Sequence, residues 1–85
     1  MSAKVEIYTA ARCPYCIRAK ALLDRRCIEY KEICVDQEEA KFREMLKRSN
    51  GQRTVPQIFI NDCGIGGFDA LWELEQKKQL DTLLK

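Results

Sequence analysis

Two of the five cysteines in this chain of 85 residues form a Cys13-Pro14-Tyr15-Cys16 motif, and the chain has no histidine. Thiols three residues apart can form a disulfide and exchange it with other thiols. The lack of histidine excludes Ser-His and Cys-His catalysis and histidine-ligated zinc. The odd number of cysteines excludes a fully paired disulfide framework within one chain. The motif therefore favours thiol–disulfide redox chemistry.

The positions of the two thiols in this motif predict different roles. Pro14 is typical of a first helical residue, which makes Cys13 the N-cap. Unpaired backbone N–H groups and the helix dipole stabilise an anion there, and Arg12 adds positive charge, so we expect a Cys13 pKa below the usual value of about 8.5. Cys16 lies one turn further in and is expected to be more covered. Cys13 is therefore predicted to attack a disulfide and Cys16 to resolve the intermediate.

A metal site is the alternative for this motif, since a C-x-x-C pair can supply two of four zinc ligands. The other cysteines, Cys27, Cys34 and Cys63, form no second C-x-x-C pair, which favours the redox interpretation. Cys34 falls on a predicted strand and is interpreted as a small buried apolar residue. Cys63, on an edge turn, is interpreted as a tolerated exposed thiol, with a regulatory or intermolecular role as the alternative.

Alternating and helical spacing divide the chain into elements that would position the motif. The predicted strands cover residues 4–8, 29–35, 57–60 and 63–65. The predicted helices run over 14–26, from an Asp36 cap to Asn50-Gly51, from an Asp69 cap to Lys78, and over 80–84. A helix joins the first two strands, which makes them parallel, and the Asn61-Asp62 turn makes the last two antiparallel. The sequence thus predicts one α/β domain, residues 1–85, with a four-stranded mixed sheet and helices on both faces.

The helical spacing also predicts which residues face the core. Ile17, Ala21 and Leu22 are expected to do so from the first helix, and Trp72 with its leucine neighbours from the third. Arg25 and Arg26 are interpreted as a solvated helix end.

Composition excludes several classes of protein. The formal net charge is +2, from 15 Lys and Arg against 13 Asp and Glu, too small to argue for a nucleic-acid partner. No apolar run approaches the length of a membrane helix. The N-terminus has no signal-peptide pattern, so we expect a cytoplasmic protein that binds no membrane.

Four segments, in this order and spacing, resemble the dithiol glutaredoxins, most closely the bacterial glutaredoxin 3 type. They are Tyr8-Thr9, Cys13-Pro14-Tyr15-Cys16, Arg53-Thr54-Val55-Pro56-Gln57-Ile58-Phe59-Ile60 and Ile65-Gly66-Gly67-Phe68-Asp69. The resemblance implies a thioredoxin-like fold with strand order 2-1-3-4. It also implies a glutathione-dependent oxidoreductase that reduces protein disulfides and glutathionylated proteins through a Cys13–Cys16 disulfide.

The resemblance further implies a glutathione groove beside the nucleophile. Thr54, Val55 and Pro56 match the cis-proline loop of the family, where the residue at Val55 pairs with glutathione through its backbone. Gly67, Phe68 and Asp69 match the loop that holds the γ-glutamyl end.

Other groove contacts are implied by position relative to the first cysteine. Tyr15 is expected to flank the groove. The family usually has a lysine where this chain has Ala10, and Arg12 or Arg53 is the expected replacement.

As to cofactors and partners, we expect glutathione as a co-substrate, no permanently bound cofactor and no metal. Glutathione reductase and NADPH would act indirectly, ribonucleotide reductase is a candidate substrate, and the chain is expected to be a monomer. Two alternatives stay open. One is a module that binds an iron–sulfur cluster, and the other is a dedicated hydrogen donor to ribonucleotide reductase.

Overall fold

The computed structural model describes residues 3–84, which form four strands and four helices. Each element predicted from the sequence is present, with ends that agree with the prediction or differ from it by at most three residues. In chain order the elements are β1 (Val5–Thr9), α1 (Pro14–Arg25), β2 (Lys31–Cys34), α2 (Glu39–Arg48), β3 (Gln57–Ile60), β4 (Cys63–Gly66), α3 (Phe68–Gln76) and α4 (Leu80–Leu84).

The strands form one mixed sheet in the order β2-β1-β3-β4, as the resemblance implied. β1 runs parallel to β2 and antiparallel to β3, and β4 is antiparallel to β3. Asn61 and Asp62 both adopt left-handed backbone conformations, with φ of 51° and 67°. Two such residues in succession match the right-handed twist of a hairpin, so the tight turn predicted here is confirmed.

Side chains on the two faces of the sheet belong to two separate cores. Ile7 and Ile58 pack with Leu22 of α1 and Leu71 of α3 on one face. On the other face Tyr8 and its neighbours pack with Met45 of α2. Because successive strand residues point to opposite faces, β1 contributes to both cores and is buried along its whole length. The start of α1 is therefore attached to a rigid central strand.

Three predicted core residues, Ile17, Ala21 and Trp72, are exposed instead. Ile17 is 61% exposed and Trp72 is 45% exposed. The buried face of α1 is set by Cys16, which is 1% exposed, and continues through Ala19 and Leu22. Adjacent residues of an α-helix differ in direction by about 100°, so the neighbours of these buried residues face away from the core. Ile17, next to Cys16, and Ala21, next to Leu22, therefore face solvent. Trp72 faces solvent in the same way, because its neighbour Leu71 is buried.

The predicted Asp36 cap is wrong, because α2 begins at Glu39 and its N-cap is Glu38, without a side-chain hydrogen bond. The Asp36 carboxylate accepts a hydrogen bond from the backbone N–H of Ala11 instead, at 2.8 Å. Asp36 therefore fixes the loop before Cys13 rather than the helix that follows it.

Two arginines take part in ion pairs that the sequence did not reveal. Arg48 donates to the Glu6 carboxylate at 3.0 Å and lies 4.1 Å above the Phe59 ring. Arg26 pairs with Glu75 and Asp81 rather than ending α1 in solvent. Within residues 3–84, no helix has the length and apolar character that crossing a membrane requires.

Candidate active site

The start of α1 is built around the sulfur of Cys13. Cys13 is the N-cap in an extended conformation, and Pro14 is the first helical residue, as predicted. The backbone N–H of Cys16 donates to Cys13 Sγ at 3.1 Å, and the N–H of Ile17 donates to the Cys13 carbonyl at 3.1 Å. The sulfur therefore satisfies one of the backbone donors that a helix leaves unpaired at its N-terminus.

The two sulfur atoms of the motif are at disulfide distance from each other. The Cα atoms of Cys13 and Cys16 are 5.2 Å apart, within the range of roughly 4.4–6.8 Å that disulfides span. Cys16 is buried, whereas Cys13 is partly exposed. Of the two thiols, Cys13 is the one that an external disulfide can reach.

Two contacts hold the loop that leads to Cys13. One is the Asp36 carboxylate bound to Ala11 N–H, and the other is the Val35 N–H bound to the Thr9 carbonyl at 2.8 Å. Arg12, directly before Cys13, has a left-handed backbone with φ of 58° and an exposed side chain. The loop thus presents Arg12 to solvent next to the sulfur.

The segment before β3 lies opposite Cys13. Its Val55–Pro56 peptide bond is cis, as the resemblance implied. The Val55 carbonyl oxygen is 3.7 Å from Cys13 Sγ. The amide of Gln57, a buried residue, donates to the Thr54 carbonyl at 3.0 Å and to the Thr54 hydroxyl at 3.1 Å. Gln57 therefore fixes the shape of this loop.

The third segment of the site is the start of α3. Gly66 has φ of +114°, a conformation that favours glycine, and Gly67 is the N-cap. A Cβ on Gly67 would lie 3.4 Å from the Pro56 carbonyl, which shows how closely the two loops approach. Asp69 is exposed in the first turn, so the prediction that it caps α3 is wrong.

These three segments enclose a cleft of about 420 Å³. Its lining residues are Tyr15, Thr54, Val55, Pro56, Gly67, Phe68, Asp69 and Ala70. The structure therefore brings together seven of the residues that the resemblance assigned to a glutathione groove. Arg12 and Arg53 are not among the lining residues, and the Arg53 guanidinium lies 5.4 Å above the Phe42 ring instead.

Two residues of the site were missed by sequence reasoning. Gln57 is the one polar residue of the otherwise apolar QIFI strand, and that signal could have indicated a buried hydrogen-bonding role. Asp36 gave no such signal, because an acidic residue before a helix is more typical of a cap.

The remaining cysteines lie outside the cleft. Cys27 and Cys63 are exposed. Cys34 is only partly buried, which corrects the prediction of a buried residue, and its sulfur lies 3.7 Å from the Thr9 hydroxyl. In the part of the chain that the structure describes, no group of three or more Cys, Asp and Glu side chains is arranged to hold a metal ion.

Comparison with known proteins identifies the family. Residues 5–65 match the sequence profile described as Glutaredoxin. The chain is 53% identical over 83 residues to Glutaredoxin 3 of Escherichia coli, covering 98% of this chain and 99% of that one.

Solved structures agree with this assignment. The solution structure of a glutaredoxin from Brucella melitensis superposes with a TM-score of 0.85 at 48% identity, covering 99% of this chain and 90% of that one. The crystal structure of a buckwheat glutaredoxin–glutathione complex also superposes with a TM-score of 0.85, at 34% identity, covering 96% of this chain and 76% of that one. The chain therefore belongs to the glutaredoxin family and is a thiol–disulfide oxidoreductase.

Proposed function

We propose that Cys13 attacks the substrate disulfide, that Cys16 resolves the intermediate and that glutathione is the co-substrate that reduces the enzyme. The observation that carries this proposal is the cleft beside Cys13, where three separate segments converge. The difference in exposure between the two thiols supports their division of roles.

Glutathione fits the chemistry of the cleft at three points. The Val55 backbone offers an edge with which an extended peptide can pair. The start of α3 favours the carboxylate of the γ-glutamyl group. The Asp69 carboxylate lines the same end of the cleft and can receive the glutathione ammonium group. The buckwheat relative was solved as a complex with glutathione, which supports glutathione as the ligand of this cleft.

Removal of glutathione from a protein then requires Cys13 alone. The Cys13 thiolate attacks the glutathione sulfur of the mixed disulfide, and the protein cysteine leaves as a thiolate. A second glutathione thiolate attacks the glutathione sulfur bound to Cys13. This step releases oxidised glutathione and restores the Cys13 thiolate.

Reduction of a disulfide within a protein also requires Cys16. Cys13 first forms a mixed disulfide with one substrate cysteine, and the other substrate cysteine leaves as a thiolate. The Cys16 thiolate then attacks the Cys13 sulfur and releases the substrate in its dithiol form. Two glutathione molecules reduce the resulting Cys13–Cys16 disulfide.

We infer that the partners are disulfide-containing or glutathionylated proteins, with ribonucleotide reductase as one candidate. Glutathione reductase and NADPH would regenerate glutathione. The cytoplasm, where thiols are kept reduced, is the compartment that suits this cycle.

The test of the glutathione cleft is the Asp69→Ala variant. Loss of one charge-assisted contact costs about 1.5–3 kcal/mol, which corresponds to a rise in KM for glutathione of at least about tenfold. Formation of the Cys13–Cys16 disulfide by a chemical oxidant should not change. Glu38→Ala is the matched control, because Glu38 is exposed and caps α2 without a side-chain hydrogen bond. An unchanged KM in Asp69→Ala would contradict the proposed mode of binding.

A further inference from the structure

Three aromatic rings form a continuous surface that starts in the cleft and extends beyond it. The ring centroids of Tyr15 and Phe68 are 6.1 Å apart. Those of Phe68 and Trp72 are 6.2 Å apart, with the two rings 26° from parallel. Tyr15 is 53% exposed and Trp72 is 45% exposed. We call Tyr15, Phe68 and Trp72 the aromatic ladder.

The cleft accounts for only part of this ladder. Tyr15 and Phe68 line the cleft, whereas Trp72, one turn further along α3, does not. A half-exposed indole stacked on the wall of a reactive site is typical of a protein-binding surface, where aromatic residues are enriched. The position of Trp72 therefore indicates a ligand that extends past the cleft.

The charges around the ladder indicate the chemistry of that ligand. The Arg18 guanidinium lies 5.3 Å above the Tyr15 ring, and Arg18 forms no ion pair with any of residues 3–84. On the α3 side, Glu73 is already paired with Lys77 at 2.7 Å, and the exposed Asp69 carboxylate next to Phe68 lines the cleft itself. The charge available beside the ladder on α1 is therefore positive, and it favours a carboxylate on the partner.

We propose that the ladder binds an extended segment of a disulfide-containing protein substrate. The segment carries an aromatic side chain near its reactive cysteine, which packs on Phe68 and Trp72, and an acidic side chain that faces Arg18. This proposal rests on the proposed function, because the mixed disulfide with Cys13 is what brings the segment to the ladder.

The covalent step is the same as for any other protein disulfide. The Cys13 thiolate forms a bond to one sulfur of the segment, and the second sulfur leaves as a thiolate. The Cys16 thiolate then attacks the Cys13 sulfur, and the sulfur of the segment leaves as a thiolate. The substrate disulfide gains the two electrons that the Cys13–Cys16 dithiol loses, and glutathione supplies them again. The ladder changes how firmly the segment is held and leaves this balance unaltered.

The test uses synthetic peptides that contain one internal disulfide. One peptide carries a tryptophan and an aspartate beside a cysteine, a second replaces the tryptophan by alanine, and a third replaces the aspartate by asparagine. Rates are followed in the glutathione-coupled assay, as NADPH consumption by glutathione reductase. We expect kcat/KM to be about three- to tenfold higher for the first peptide than for the alanine peptide, the range of a stacked aromatic pair.

Substitutions in the ladder identify the contact. In Trp72→Ala, kcat/KM for the tryptophan peptide should be close to that for the alanine peptide. Trp72→Phe should keep most of the preference for the tryptophan peptide. Arg18→Gln should lower the preference for aspartate over asparagine by about two- to fivefold, as for an exposed ion pair. Arg25→Gln is the matched control, because Arg25 is an exposed arginine two turns further along α1.

Two results would overturn the inference. One is a wild-type enzyme that reduces the aromatic and alanine peptides equally, or a preference that survives in Trp72→Ala. The other is a wild-type dimer in sedimentation that becomes a monomer in Trp72→Ala, since the ladder would then be an interface between two copies. The small mixed disulfide of cysteine and glutathione has no aromatic segment, so its reduction by the wild type tests the proposed function separately.

Discussion

The backbone N–H of Cys16 points at the sulfur of Cys13, with 3.1 Å between the nitrogen and Sγ. This hydrogen bond joins the two redox partners of the motif, and it arises because a cysteine occupies the N-cap position of α1. A hydrogen bond to a sulfur at a helix N-terminus stabilises the thiolate over the thiol. The local geometry that allows disulfide formation therefore also activates the attacking thiol.

The first prediction concerns the ionisation of Cys13. In the reduced protein its thiol should be ionised well below neutral pH, because the helix N-terminus stabilises the anion. Alkylation by iodoacetamide against pH measures this, in a Cys27→Ser, Cys63→Ser background that removes the two exposed thiols. A midpoint clearly below neutral pH is expected. A midpoint near the ordinary value of about 8.5 would refute the assignment of Cys13 as an activated nucleophile.

The second prediction concerns the anchor of the active-site loop. Asp36→Ala should lower the free energy of unfolding by about 1 kcal/mol, because Ala11 N–H loses its acceptor. Asp36→Asn should keep most of the wild-type free energy of unfolding, since the amide oxygen can accept the same hydrogen bond. Denaturant unfolding and hydrogen exchange at the Ala11 amide measure both variants. Equal losses in the two would mean that the charge of Asp36, and not the hydrogen bond, is what matters.

The third prediction concerns the ion pair beneath α2. Arg48→Met should destabilise the protein by about 2–3 kcal/mol, because it leaves the largely buried Glu6 carboxylate with only the exposed Lys4 ammonium, 3.9 Å away, as a partner. Glu6→Gln in the same background should recover part of this loss. A double-mutant cycle by urea unfolding gives the coupling. Additive effects of the two substitutions would show that the pair contributes no coupling.

The fourth prediction concerns stability in acid. Hydrogen bonds from Lys20 and then from Thr9 hold the pKa of Glu32 below its ordinary value. The unfolded chain therefore binds this proton more readily. The resulting stabilisation is present above the ordinary pKa and is lost as pH falls through the folded pKa. Glu32→Gln should flatten the fall in Tm between about pH 5 and about pH 3.

The matched control for this measurement is Glu29→Gln, because Glu29 is exposed and forms no ion pair within residues 3–84. Its profile of Tm against pH should follow that of the wild type. If Glu32→Gln also followed the wild type, the contacts of Glu32 would not stabilise the folded state.

Local patterns predicted the parts of the site that local chemistry determines. The N-cap position of Cys13 follows from Pro14, and the hairpin follows from Asn61-Asp62, since each depends on a few adjacent residues. The cis bond before Pro56 followed from the resemblance, because a proline at the start of a strand is equally consistent with a trans bond. A short pattern was not always sufficient, however, because the cap patterns at Asp36 and Asp69 are equally local and both were wrong.

Features that depend on contacts between distant segments were not predictable in the same way. The Asp36–Ala11 bond joins residues 25 positions apart, and the Arg48–Glu6 pair joins residues 42 apart. The exposure of Trp72 depends on the rotation of α3, which the burial of Leu71 decides. Helical spacing leaves such a rotation ambiguous when apolar residues are adjacent, as Leu71 and Trp72 are.

The central claim is that Cys13 is sufficient to remove glutathione from proteins, whereas the reduction of disulfides within proteins also requires Cys16. The decisive measurement compares Cys13→Ser and Cys16→Ser in two assays at fixed glutathione, one with a glutathionylated peptide and one with a peptide that contains an internal disulfide. Cys16→Ser should keep most of the first activity and lose most of the second, and Cys13→Ser should lose both. Turnover in Cys13→Ser, or equal losses of the two activities in Cys16→Ser, would contradict the claim.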